Sequence, residues 1–124
     1  MSTAWRRPLV LLVNGGSRSG KEIVASMLQK QRLAVLVGAR TAGAVMTGRI
    51  FLLSDGALLY LAIGDVLVDG QRLEGAGVVP DVEVPDALEF AQGGDAQLDR
   101  ALAVAAREAH RMTHRRGPSS EKQK

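Results

Sequence analysis

Ser19 and Glu22 stand three positions apart at the end of a glycine-rich turn, in the stretch LVNGGSRSGKEIV over residues 12–24. A hydroxyl at the start of a helix sits among unpaired backbone N–H groups, which can stabilise an oxyanion as a carbonyl is attacked. In that chemistry Ser19 is the nucleophile and the Gly20 N–H one oxyanion donor. Gly20 also lets a substrate backbone come close. A serine hydroxyl still needs a base before it attacks. The same spacing has an architectural reading, because Ser-x-x-Glu is the pattern of a capping box that ties off the first helical turn. Serine is among the commonest N-cap residues, so the residues alone leave both roles open.

A phosphate cradle is a third reading. Gly15, Gly20 and Lys21 fit all but the last position of G-x-x-x-x-G-K-[ST], but Glu22 stands where the hydroxyl belongs. A carboxylate there brings negative charge towards phosphate oxygens instead of ligating Mg²⁺. Lys21 is two positions from Ser19 and points away from it on a helix, which makes it a solvated surface residue. His110 and His114 fall in a basic last helix, where the C-terminal dipole accounts for them more simply than a role as base. Asp55, Asp65 and Asp69 sit at turns, where Asx bonding is their expected role. Two histidines and no cysteine form no ligand set of recognised spacing, so neither metal nor cofactor is expected.

The elements that must position these residues can be read from hydrophobic periodicity. Residues 8–13 form a buried strand, and residues 20 to about 31 a helix with Ile23, Val24, Met27 and Leu28 on one face. LAVLVG from Leu33 is a second strand, which makes a parallel strand–helix–strand unit and an α/β class. A small-residue connector over 40–48 leads to RIFLLSDGALLYLAI, two β-like runs around Asp55-Gly56, the pair that type I′ hairpin turns favour. VLVDGQRL repeats the Asp-Gly punctuation, and in GAGVVPD the glycines and proline set backbone shape. A helix from about 95 to 110 places Leu98, Leu102 and Ala105 on one stripe.

Composition narrows the function classes. At 124 residues with 46% hydrophobic residues, the chain is one domain with a core, and there is no internal repeat. Aromatics at 3% leave few rings to stack nucleobases. The net charge of +3 belongs to the tail: from Arg107 onward six basic residues face two acidic ones, so a nucleic-acid partner is not expected. PLVLLV is too short to span a bilayer, and no stable membrane insertion is expected.

The ordered set VNGGSRSGKEIVASMLQKQRLAVLVGARTAG, FLLSDGALLYL and LEGAGVVPDVEV resembles the catalytic-core end of the C-terminal processing, or tail-specific, serine peptidases. The likeness runs from about residue 8 to 84 and more loosely through DAQLDRALAVA. It implies part of a ClpP/crotonase-like core with a mixed sheet and flanking helices. It also implies polypeptide substrates cut near the C-terminus through an acyl-enzyme on Ser19, with Glu22 orienting the general base and Gly20 in the oxyanion hole. Ser17 matches a turn serine with no assigned chemistry. Family members with a Ser–Lys dyad place the lysine 25 positions after the nucleophile, inside a Thr-aromatic-Gly-Lys-Gly segment; here TAGAV puts Ala44 there. A methyl group accepts no proton.

The likeness is therefore closer to the branches with TAGA, the tricorn-type and retinoid-binding relatives, of which the first recruit a histidine from earlier in the chain. On this reading residues 1–116 are a partial catalytic core, residues 117–124 a disordered tail, and the isolated chain is inactive. The upstream core, with its base and second oxyanion donor, and any peptide-binding PDZ module are expected elsewhere. A non-catalytic binding or scaffold member of the same fold is the alternative, and a nucleotide binder a further one. The parent protein is expected at the cell envelope or periplasm. Substrate, base, compartment and homo-oligomerisation stay open.

Overall fold

A computed structural model of the chain describes Trp5, residues 7–87 and residues 92–115. The expected disordered tail at 117–124 lies outside the described residues. Strand β1 (Val10–Val13) is joined through helix α1 (Gly20–Lys30) to strand β2 (Val35–Gly38). The two strands pair in parallel, Val10 opposite Val35 and Val13 opposite Gly38, as the periodicity led us to expect. Further strands follow as β3 (Thr47–Leu52), β4 (Leu58–Gly64), β5 (Leu67–Val68), β6 (Gln71–Arg72) and β7 (Val82–Glu83), and helix α2 (Ala96–Arg115) closes the chain. β7 adds to β2 in parallel, so the main sheet runs β1-β2-β7.

Alternation along the strands splits the core into two layers. Val13, Ala34 and Leu36 face α1 and pack with Ala25, Val45, Val68, Leu73 and Val78. Val10, Val35 and Val37 face the other way, against Ala101 and Val104 of α2. Burying a side chain such as Leu36 stabilises by roughly 1.5–3 kcal/mol, so these layers carry the fold.

The buried face of each helix is rotated from the one expected; of the four residues expected on the inner face of α1, Ile23 and Leu28 pack against the core and Val24 and Met27 do not. On α1 the buried residues are Glu22, Ala25 and Ser26, with Val24 and Met27 exposed. The stripe follows the small residues, which let the helix approach the chain around it, and it carries a carboxylate that the surrounding amides satisfy. On α2 the buried positions are Gln97, Ala101 and Val104, while Leu98 and Leu102 face outward and Ala105 is half-buried. Small Ala101 and Val104 fit against the valines of β1, β2 and β7, and Gln97 Nε2 donates to Val84 O at 2.9 Å, fixing the start of the helix. Asp95 caps it through Leu98 N, at 2.9 Å. The helix continues to Arg115, five residues past the expected end, because no glycine or proline interrupts it before Gly117.

The two Asp-Gly turns differ. Asp69 (φ 49°) and Gly70 (φ 73°) are both left-handed, the type I′ pattern, between β5 and β6. At the β3–β4 hairpin only Gly56 has positive φ (83°), and Gly56 N donates to Leu53 O. This is a type I turn closed by a left-handed glycine, in place of the expected I′ turn. Strands β3 and β4 form their own antiparallel sheet with almost every residue exposed, including Ile50, Leu52, Leu58, Tyr60 and Ile63. No helix among the described residues is long and apolar enough to cross a membrane.

Candidate active site

The turn between β1 and α1 is built on Asn14. Its Oδ1 accepts from Gly16 N at 2.9 Å, its N–H donates to Ser17 Oγ at 3.2 Å, and its carbonyl accepts from Ser17 N at 2.9 Å. Asn14 Nδ2 reaches Asp86 at 3.0 Å. Ser17 is thereby committed to turn structure. The chain leaves this turn through Ser19, whose φ of 59° and ψ of −133° lie outside the regions an L-residue adopts comfortably. Such a conformation costs on the order of 1–3 kcal/mol and persists only where neighbours over-determine it.

The neighbours that do so belong to the segment after β2. Ser19 N donates to Ala44 O at 2.8 Å and to Glu22 Oε2 at 3.1 Å, and Ala42 N donates to Ser17 O at 3.0 Å. Glu22 is fully buried in the first turn of α1. Its carboxylate accepts from Gly43 N at 2.7 Å, Ala44 N at 2.9 Å and the Thr41 hydroxyl. Burial alone would raise its pKa, but the bonds from Thr41, Ala44, Gly43 and Ser19 outweigh that and hold it below the usual carboxylate range. A glutamate held this way is an anion with its lone pairs spoken for. It fixes the position of 41–44 against the turn and is not aimed at the space in front of Ser19.

Segment 41–44 is held from its other side by the loop 75–78. Thr41 Oγ1 accepts from Val78 N at 2.7 Å, Thr41 N donates to Val78 O at 3.1 Å, and Gly75 N donates to Gly43 O at 2.8 Å. The backbones approach so closely that a Cβ on Gly77 would lie 2.5 Å from Thr41 O, which explains the glycine there. Glu74 accepts from Val45 N at 2.7 Å and Met46 N at 3.1 Å, fixing where the chain departs towards β3.

Ser19 itself is exposed. Ser19 and Glu22 have the reciprocal arrangement of a capping box: the carboxylate accepts from Ser19 N at 3.1 Å, and the Ser19 oxygen faces the Glu22 N–H without a well-formed hydrogen bond among the described residues. Gly20 is exposed, the space around its missing side chain is open, and its N–H has no acceptor among the described residues. An apolar groove of about 410 Å³ runs alongside, lined by Leu11, Leu12, Val13, Ser17, Gly20, Lys21 and Val24. An exposed hydroxyl beside an amide with no acceptor among the described residues and an apolar groove is an arrangement able to attack and stabilise a carbonyl.

Ser19, Gly20, Glu22 and Ala44 are thus brought together, and the histidines are not. His110 and His114 lie on the exposed end of α2, and no hydrogen bond links them to this turn among the described residues. No group of three or more His, Cys, Asp or Glu able to hold a metal occurs among the described residues. Sequence reasoning missed Thr41, the Gly43 and Ala44 amides, and Glu74. One signal pointed to the first: Glu22, Ala25 and Ser26 share a helical stripe, so a buried carboxylate required donors from a neighbouring segment.

Comparison with known proteins bears on this geometry. Residues 2–84 match the model of peptidase family S41. The carboxyl-terminal-processing protease of Synechocystis sp. is 36% identical over 101 residues, covering 77% of this chain and 24% of that protein. Tricorn protease homolog 1 of Streptomyces coelicolor is 36% identical over 104 residues, covering 81% of this chain and 10% of that protein. Among solved structures, the tricorn protease superposes with a TM-score of 0.75 at 28% identity over 83% of this chain and 10% of that one. The photosystem II D1 C-terminal processing protease superposes at 0.56 with 31% identity over 73% of this chain and 26% of that one. The chain spans about a quarter or less of the curated relatives it matches.

Proposed function

Since the chain belongs to peptidase family S41, we propose that it is the nucleophile-bearing part of a serine-type peptidase that cleaves polypeptides near their C-terminus through an acyl-enzyme on Ser19. The observation that carries this reading is the strained, exposed Ser19, whose backbone N–H is held by Glu22 and Ala44. Gly20 N–H is the oxyanion donor, and Glu22 is a positioning residue that holds 41–44 at the back of the nucleophile. We assign the parallel β1-α1-β2 unit to a ClpP/crotonase-type core.

Among the described residues no basic side chain is hydrogen-bonded to Ser19. Ala44 lies against Ser19, where a lysine would stand in a Ser–Lys dyad, so the proton of Ser19 must pass to a group that other polypeptide supplies. The exposed apolar hairpin β3–β4 and the open edge of β1 are the surfaces such polypeptide would cover, since parallel sheets are ordinarily buried on both sides. The isolated chain is inactive on this account.

A chimera tests the proposal: this chain replaces the matching segment of the Synechocystis carboxyl-terminal-processing protease, and release of C-terminal fragments from a polypeptide is followed. Ala44→Lys in the chimera is expected to give cleavage, and adding Ser19→Ala to abolish it. A folded Ala44→Lys chimera that cleaves nothing would favour the non-catalytic scaffold reading.

A further inference from the structure

The end of α2 carries a second arrangement, independent of the Ser19 turn. His110 and His114 are one helical turn apart, both exposed, with their Nε2 atoms 3.1 Å from each other, ring centroids 4.6 Å apart and ring planes at 75°. As drawn, the two nitrogens share one hydrogen bond, which occupies one proton and one lone pair. The same separation is the bite of a chelate. Two metal–nitrogen bonds of about 2.1 Å spanning 3.1 Å subtend about 95°, close to the cis angle of a square-planar or tetragonal ion.

We propose that His110 and His114 form a bidentate site for a borderline transition-metal ion that prefers tetragonal geometry, such as Ni²⁺ or Cu²⁺. Imidazole suits these ions, and two histidines at i and i+4 reach one ion from one helix face. Binding breaks the histidine–histidine hydrogen bond and forms two Nε2–metal bonds. The ring that donated through Nε2 gives up that proton to water and takes one up at Nδ1, so no net proton is lost, and water fills the remaining metal positions. Arg107 and Arg111 flank the pair and would repel a cation, but Glu108 draws both guanidiniums, at 3.8 Å and 3.2 Å, and offsets part of their charge. The ion would staple the last described turns of α2, the exposed end of the helix beyond Val104.

Isothermal titration of the untagged chain with NiCl₂ at pH 7.5 tests the site. One saturable ion per chain is expected, with the helical circular dichroism lost at a higher temperature when the ion is bound. His110→Ala or His114→Ala should each weaken binding about tenfold or more, because the second ligand loses its high effective concentration. The double variant His110→Ala/Met112→His keeps two imidazoles but sets them two positions apart, on different sides of the helix. It should bind no better than the single variants. Absence of saturable uptake by the native chain, or equal uptake by native chain and single variants, would overturn the site; tight binding by the rearranged pair would overturn the chelate geometry.

Discussion

The Glu22 carboxylate accepts the hydroxyl of Thr41, so the first turn of α1 and the segment after β2 share one buried negative charge. Thr41 Oγ1 in turn accepts from Val78 N, which passes the connection to a third segment. The relationship makes Thr41 a joint of the site although it has no chemistry of its own.

Thr41→Val keeps the shape of the side chain and removes both bonds, leaving the Val78 amide and one carboxylate lone pair without partners. A loss of about 1–3 kcal/mol is expected. Urea denaturation should show the midpoint falling with unchanged slope, and Thr41→Ser should retain most of the stability.

Glu22 links stability to pH. Its folded pKa is held below the unfolded value, so its contribution is present above the unfolded pKa, near 4, and is lost as pH falls through the folded one. Thermal melts between pH 7 and pH 3 should show stability declining in the acid range. Glu22→Gln places an NH₂ group against donors and is expected to cost about 1–3 kcal/mol at pH 7. The same substitution should flatten the acid decline.

Ser19→Gly tests the backbone strain at that residue. If the hydroxyl capped the helix, removing it would cost stability, by about 0.5–2 kcal/mol for alanine and a few tenths for glycine. Relief of the left-handed conformation works the other way, by roughly 1–3 kcal/mol against roughly 0.5–1 kcal/mol of added chain entropy. Ser19→Gly should therefore melt higher than the native chain, while any reactivity of the turn is lost.

Much of this architecture could be read from residues 8–38, where two continuous apolar runs with a helix between them favour one parallel arrangement. The site was legible as far as Ser19, Gly20 and Glu22, because their spacing is local. What Glu22 touches was not, since Thr41, Gly43 and Ala44 come to it across a strand, and no local pattern encodes that contact. The buried face of α1 was legible at Ile23 and Leu28 only, and that of α2 lies beside the expected stripe, for one shared reason. Large apolar residues such as Val24, Met27, Leu98 and Leu102 weigh most in a periodicity, yet close packing selected Ala25, Ser26, Ala101 and Val104. At Asp55-Gly56 the dipeptide announced a hairpin correctly, but the loop length chose the turn type.

The most direct test concerns Ser19 and the base it lacks. In the Ala44→Lys chain, treated with a fluorophosphonate and mapped by peptide mass, phosphonylation at Ser19 is expected to run about 10² times faster than in the native chain or more, the usual worth of a positioned base. Phosphonylation no faster than in the native chain, or label shared equally between Ser19 and Ser17, would contradict the assignment of Ser19 as the nucleophile.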